Sequence, residues 1–346
     1  MSDSPIVFAA DSLSRLPALL CQGADLALVT GRQSARASGL LDRVVGLARE
    51  KTNLVVILAA LSHPTWEDYV GVRRDLRESG ANLVLALGGG SVMDVAKYAA
   101  SADGGRSPML PLIAVPTLFG SGAEVTPFAT VWDRTAMRKR SLPVRPCGRV
   151  LVDPVLALSA PQAVRAASAL DGLAHGADVL WQTGSSHRDR ARAAAAIRLV
   201  RRWLAPLLVG ETCALCGIAA ASILGGLAIA SAGSGASHAL SYPLQLRFGV
   251  AHGLGCALGL LWLMRAFPEQ IPAQLLSALG ATDAQFAARE IARLIGCAGF
   301  STRLESFGVT TEALEIIAAE ADATRLARAG IRIASDRLAK RLREVA

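Results

Sequence analysis

Two hydrophobic patterns alternate through the first 120 residues. Residues 26–30 (LALVT), 53–59 (NLVVILA), 81–87 (ANLVLAL) and 111–117 (PLIAVPT) are short, unbroken apolar runs. Runs of that length bounded by Gly, Pro and polar clusters predict strands buried on both faces. Between them the apolar positions recur at helical spacing, in ARASGLLDRVVGLARE (35–50), in the stretch after Thr65 that runs to Gly80, and in VMDVAKYAASA (92–102). Thr65 stands where a helix N-cap is wanted. Strand and helix in alternation predict a parallel, doubly wound sheet. Near residue 155, after VLVDPVLALSAP, the pattern changes to Ala/Leu-rich helical periodicity with no convincing strand. The predicted fold is therefore α/β plus all-α: an α/β dinucleotide-binding domain over 1–155 and an all-helical domain over 156–346. No internal repeat at a fixed period is evident.

Composition narrows the classes. The 346 residues are 52% hydrophobic but only 5% aromatic, and 18% are charged. That predicts a folded core of Ala, Leu and Val rather than disorder. The net charge of +8 is carried almost entirely by Arg. No compact basic block is interleaved with aromatics, so a nucleic-acid partner is not expected. Residues 212–233 are nearly uncharged and long enough to span a bilayer. They are rich in Ala, Gly and Ser and lack aromatic belts, which predicts a buried helix instead. The N-terminus MSDSPIVFAADSL does not have the form of a signal peptide. The six cysteines include one C-x-x-C pair, Cys213 and Cys216, with no second pair for a zinc site. All six read as small core residues in a reducing compartment.

The candidate chemistry sits in both halves. Asp171 and His175 are four residues apart, so a helix puts them on one face. His238 and His252 follow on apolar ground. Each histidine alone reads as a packed core residue. A carboxylate and three imidazoles together make a site for Fe(II), Zn(II) or a similar ion. Upstream, Gly88, Gly89, Gly90 and Ser91 sit between a predicted strand and helix, where a backbone can approach a pyrophosphate at a helix N-terminus. This is not the G-x-G-x-x-G fingerprint. Phe119, Gly120, Ser121 and Gly122 after the next strand form a candidate second wall of the same crevice. After the first strand there is no carboxylate for a ribose 2′-hydroxyl. Gly31, Arg32, Ser34 and Arg36 stand there instead, which favours NADP over NAD.

Taken in order, GGGSVMDVAK, PTLFGSGAEVTPFATVWD, DGLAH and the two later histidines resemble the iron-containing alcohol dehydrogenase family. The separations of 4, 63 and 14 residues between Asp171, His175, His238 and His252 match as well. The resemblance spans roughly residues 5–300. It implies a nucleotide domain, a helical metal domain and an active site in the cleft between them. Hydride from a reduced nicotinamide would reach a carbonyl polarised by the metal. It also implies cofactor contacts at Asp94, Thr117, Leu118, Ser121, Thr126 and Lys139, with Fe(II) as the first expectation for the ion and Zn(II) the second. A cytoplasmic homodimer with no membrane partner is expected. Two departures stand out. Leu118 and Ala123 replace residues that usually carry hydroxyls. Tyr242 replaces a common further histidine, leaving a phenol to relay a proton beside His252. Within the family the chain looks most like the phosphonoacetaldehyde reductases. Arg247, between two metal-binding histidines, and the cluster Arg138, Arg140 and Arg145 are the candidate grips for an anionic substrate. A reductase of neutral short-chain aldehydes or of maleylacetate-type acids is the alternative. A lyase-type or non-catalytic relative on the same fold is a further one.

Overall fold

A computed structural model describes residues 5–101 and 109–346. The first four residues of the N-terminal MSDSPIVFAADSL and the last residue of VMDVAKYAASA lie outside the described residues. The chain divides into two compact units. The first runs to Leu118 and resumes at Ala123–Pro161; the second comprises Phe119–Gly122 and Gln162–Ala346.

In the first unit the order is β1 (Ile6–Phe8), α1 (Leu16–Leu19), β2 (Ala24–Gly31), α2 (Ser34–Ala37), α3 (Leu40–Arg49), β3 (Thr52–Ala60), α4 (Trp66–Glu78), β4 (Leu83–Gly88), α5 (Gly90–Ala100), β5 (Leu112–Pro116), β6 (Phe128–Asp133), β7 (Arg138–Pro143) and β8 (Arg149–Val152). Six strands form one sheet in the order β1-β8-β5-β4-β2-β3, and every pairing is parallel. β4 is central and buried along its whole length, which is why its sequence shows no alternation. Leu26, Leu28, Leu83, Leu85 and Leu87 of the sheet pack with Leu41 and Val44 of α3 in one core cluster. Each such side chain contributes roughly 1.5–3 kcal/mol by leaving water. Thr65 starts α4 as its N-cap. Its backbone N–H donates to the Asp68 carboxylate at 2.8 Å, a capping box.

Two sequence expectations change, and one further element is added. The helix over 35–50 is two helices, broken where Gly39 takes a left-handed φ of 70°. β1 and β8, at three and four residues, extend the sheet beyond the predicted strands. The basic stretch after Phe128 is an antiparallel hairpin, β6–β7.

The second unit is helical: α6 (Gln162–Trp181), α7 (His187–Leu208), α8 (Thr212–Ala232), α9 (Ala236–Phe248), α10 (His252–Ala266), α11 (Ala273–Ala278), α12 (Ala284–Cys297), α13 (Ala313–Glu320), α14 (Ala323–Arg328) and α15 (Ser335–Val345). α6 packs on α7, α8 and α10. α8 is long and apolar enough to cross a membrane, and it is mostly buried within this unit. Phe119–Gly122 is held between α6 and α8. The Gly120 N–H donates to Ser222 Oγ at 2.7 Å. A Cβ at Gly120 would collide with the Ser168 carbonyl, and one at Gly122 would lie 2.5 Å from Gly226 Cα. This turn needs glycine for close packing, a demand the expectation of a crevice wall did not include. None of the six cysteines is in a disulfide. Cys21 and Cys213 are exposed, so the reading of all six as core residues holds fully only for Cys147 and Cys256.

Candidate metal centre

The four expected ligands converge within the second unit. Asp171 and His175 lie one turn apart on the buried middle of α6. His238 is in the first turn of α9, and His252 opens α10. Small residues bring these helices together. A Cβ at Gly253 would strike the Ala167 carbonyl oxygen and stand 2.8 Å from the Asp171 amide nitrogen. Only glycine lets the start of α10 seat on α6 beside Asp171.

The Nε2 atoms of His175, His238 and His252 lie 3.6, 3.5 and 3.7 Å from Asp171 Oδ1. Donors around a four-coordinate ion with bonds of about 2.1 Å stand about 3.4 Å apart. Asp171 Oδ1 and His238 Nε2 are buried and have no hydrogen-bond partner. Buried polar atoms left so in a native fold call for an explanation. On the far side of its ring, His238 donates from Nδ1 to Asp178 Oδ2 at 2.6 Å. A carboxylate only accepts, so Nδ1 carries a proton. Although burial lowers His238, Cys256 and the carboxylates of Asp178 and Asp171 hold it well above the usual imidazole range, so Nε2, facing Asp171, is protonated as well until an ion displaces that proton. Once that proton leaves, Asp171 Oδ1 and His238 Nε2 are two acceptors 3.5 Å apart. A divalent ion satisfies both, and the residues present fit one.

The electrostatics of the two carboxylates and of His175 suit such a site. Burial pushes the Asp171 carboxyl up, but the surrounding imidazoles overcome this and hold it well below the usual carboxylate range. Burial lowers His175, keeping it neutral, as a ligand must be. Asp178 is also held low, against its burial, by His238 and by the N–H groups of Gly235 and Ser237 at 2.7 and 2.9 Å. The sequence reading missed Asp178. Its signal was its place on α6, three residues after His175 and seven after Asp171. Cys256 was missed too. One donor atom from each of Asp171, His238, His252 and Cys256 lies within 4.8 Å of the others. That grouping contains Cys256 where the sequence expectation has His175. The 3.6 Å approach of His175 to the shared carboxylate oxygen keeps both in the site.

The proposed cofactor residues lie in the first unit, apart from Ser121. Gly88 must be glycine, because a Cβ there would stand 2.6 Å from Val92 Cγ2. The amides of Val92 and Met93 close on the Gly89 carbonyl at 3.0 and 3.1 Å. The amides of Gly90 and Ser91 are left at the helix end, where an anion is favoured. Thr117 N–H donates to the Gly88 carbonyl at 3.0 Å, and Leu118 lines Gly89. Gly31 ends β2, with Arg32, Ser34 and Arg36 exposed after it. Asp94 is otherwise engaged: it pairs with Lys97 at 3.0 Å and accepts from the Thr130 amide at 2.9 Å. Thr126 also serves Lys97, accepting at 3.2 Å. Lys139 stacks on Trp132, 4.4 Å from the ring centroid.

The expected substrate arginines are placed differently from the metal ligands. Arg138 and Arg140 are exposed on β7 in the first unit, and Arg140 pairs with Asp133 at 3.2 Å. Arg247 is exposed at the end of α9, with its fork on Glu320: Nε to Oε2 at 2.7 Å, and a second contact from Nη2 to Oε1. In this structure the guanidinium of Arg247, a candidate anion grip, is thus committed to Glu320. Tyr242 does lie near the ligands, its ring centroid 6.0 Å from that of His252. Arg325 also lies over the Tyr242 ring, with Cζ 4.6 Å from its centroid.

Family comparison accords with this geometry. The iron-containing alcohol dehydrogenase model matches residues 4–154, and the C-terminal model of the same family matches residues 165–337. Phosphonoacetaldehyde reductase from Streptomyces viridochromogenes is 37% identical over 236 residues, covering 61% of this chain and 59% of that protein. The match therefore spans less than two thirds of that relative. Long-chain-alcohol dehydrogenase 1 from Geobacillus thermodenitrificans is 29% identical over 82% of this chain and 79% of its own length. The crystal structure of sulfoacetaldehyde reductase from Bifidobacterium kashiwanohense in complex with NAD+ superposes with a TM-score of 0.88 at 25% identity, covering 100% of this chain and 98% of that one. Fold and donor set define a protein with a parallel α/β unit and a helical unit built to hold a divalent ion. The chain belongs to the iron-containing alcohol dehydrogenase family, a family of oxidoreductases.

Proposed function

We propose that this protein is a metal-dependent, NADPH-linked reductase of a small aldehyde that carries an anionic group, a phosphonate being the first candidate. The observation that carries the anionic reading is Arg325. Its side chain is 16% exposed and stacks on Tyr242, the aromatic neighbour of His252. Asp322 takes one edge of its guanidinium at 3.2 Å. Five N–H donors in a fork leave others for a tetrahedral oxyanion. Two of the similar proteins are named for aldehydes of this kind, one bearing a phosphonate and one a sulfonate.

In this reading Asp171, His175, His238 and His252 hold the ion, and Asp178 fixes the tautomer of His238. When bound, a divalent ion polarises a carbonyl oxygen and a reduced nicotinamide supplies hydride to its carbon. Gly88, Gly89, Gly90 and Ser91 offer backbone amides to the dinucleotide phosphates. Gly31, Arg32, Ser34 and Arg36 suit a 2′-phosphate, for want of a carboxylate to repel it. Tyr242 hands a proton to the new alkoxide. Arg325 orients the anionic end so that the carbonyl faces the ion. The proposal includes a cytoplasmic homodimer acting on a small molecule without membrane or nucleic-acid partners. Cysteines outside any disulfide and the burial of α8 support it.

The test is oxidation of NADPH and of NADH with phosphonoacetaldehyde, sulfoacetaldehyde, phosphonopyruvate, maleylacetate, lactaldehyde and butanal. An anionic two-carbon aldehyde with NADPH is expected to give the highest kcat/KM. Butanal turned over equally well would replace this reading with a neutral-aldehyde reductase, and a preference for NADH would overturn the NADP assignment.

A further inference from the structure

We propose that Cys256 is a direct donor at the metal centre and tilts it toward thiophilic ions. This rests on the metal-centre reading above and adds a ligand of a different chemical kind.

Three observations carry it. Cys256 Sγ lies 3.8 Å from Nε2 and 3.9 Å from Nδ1 of His252, one helical turn before it on α10. Its sulfur also belongs to the set of four donor atoms, with Asp171, His238 and His252, that lie within 4.8 Å of one another. Finally, the side chain is fully buried and α10 cannot easily turn to remove it. On neighbouring positions Gly255 and Gly259 bring the helix against α9. A Cβ at Gly259 would stand 2.8 Å from the Ser237 carbonyl oxygen, and one at Gly255 3.5 Å from Ser241. The thiol is thus fixed beside Asp171 Oδ1 and His238 Nε2, the two buried atoms without a hydrogen-bond partner.

Asp171, His238 and His252 are common to two possible shells, one completed by His175 and the other by Cys256. A carboxylate with three imidazoles is a borderline set that takes Fe(II), Mn(II) or Zn(II) according to supply. Adding a thiolate favours Zn(II) and Co(II) over Mn(II). As the sulfur binds, the S–H bond breaks, a sulfur–metal bond forms and the proton leaves to solvent. No oxidant or reductant is required.

The experiment uses the full chain stripped of metal and reloaded with Co(II). Wild type is expected to show visible d–d bands together with a near-ultraviolet thiolate-to-cobalt charge-transfer band. Cys256→Ser should keep the d–d bands and lose the charge-transfer band. In chelator competition its preference for Zn(II) over Mn(II) should fall by at least ~10-fold. Wild-type d–d bands without charge transfer overturn the proposal, as does a charge-transfer band that survives in Cys256→Ser, or an unchanged Zn(II)/Mn(II) preference. The wild-type spectrum decides even if the variant folds poorly. If wild type binds no cobalt in a site that Asp171→Asn abolishes, the metal-centre reading itself fails, and this is distinguishable from binding without sulfur.

Discussion

At the scale of single residues, two arginines exchange places. Arg247 stands nine positions after His238 on α9. At 3.6 residues per turn, that is about half a turn round the helix from the metal ligand. Lying between two ligands in sequence did not put it near them in space, and Glu320 takes its charge. Arg325 could not be chosen from the sequence, because its place over Tyr242 depends on how α14 packs on α9. Arg325→Ala is expected to lower kcat/KM for an anionic aldehyde by about 1.5–3 kcal/mol, or roughly 10–100-fold, while leaving butanal nearly unchanged. Arg247→Ala should affect neither substrate much. The opposite pattern in steady-state kinetics would return the role to Arg247. Glu124 permits a different test. It is 2% exposed with Oε1 unpartnered, and burial pushes its carboxyl up to about 7. The unfolded chain ionises it near 4.5, so the native state binds the extra proton between those values. Its contribution to stability is therefore fully present below pH 4.5 and lost as pH rises to about 7, at a cost on the order of 3 kcal/mol. Glu124→Gln, which cannot ionise, should gain stability over wild type at pH 8 and gain none at pH 4. Denaturant unfolding at both pH values checks this, and equal differences would contradict it.

Among the elements, those with a long periodic or unbroken signature were legible. β2, β3, β4, β5 and α4 fall where the apolar runs and the Thr65 cap put them. β1 and β8 are too short to carry a pattern, and β7 (RKRSLP) is too charged to show the apolar run of a strand. The convergence of Asp171, His175, His238 and His252 was legible because their types and spacings are distinctive. Cys256 was not, since a cysteine in an apolar helix has an ordinary explanation until the crossing of α10 over α6 is seen. That crossing is where one added methyl should matter most. Gly253→Ala must push α10 off the Ala167 and Asp171 backbone, and overpacking of this kind costs about 1–3 kcal/mol. Both the Tm and the metal affinity should fall together, because His252 is the adjacent residue. Unchanged affinity by chelator competition would mean that the helix yields without moving the ligand. Pro243 contributes in another way. Lacking an N–H, it frees the Ala239 carbonyl four residues back, and that oxygen accepts from the Asp322 amide at 3.4 Å. Asp322 is the N-cap of α14, the helix that carries Arg325. A break in one helix thereby docks the next.

For the molecule as a whole, the change of texture near residue 155 was visible, whereas the assignment of Phe119–Gly122 to the second unit was not. Four residues carry no periodicity, and their glycines fit a phosphate turn as readily as a tight passage between helices. A fragment of residues 162–346 should accordingly unfold more readily than the same residues within the intact chain, its Ser222 hydroxyl and the Gly226 face of α8 stripped of what covers them. Limited proteolysis of the fragment beside the full chain would measure the difference, and equal resistance would count against it. The four-residue loan also bears on inheritance. A recombination breakpoint at 161/162, where the texture of the chain invites one, would pair each helical half with a foreign turn. The two halves can therefore be exchanged between relatives only when the donor of the first half also brings a glycine-bearing turn that fits the second. Such turns and the small residues of α6 and α8 that receive them should be inherited together, as a single unit scattered over more than a hundred positions of sequence.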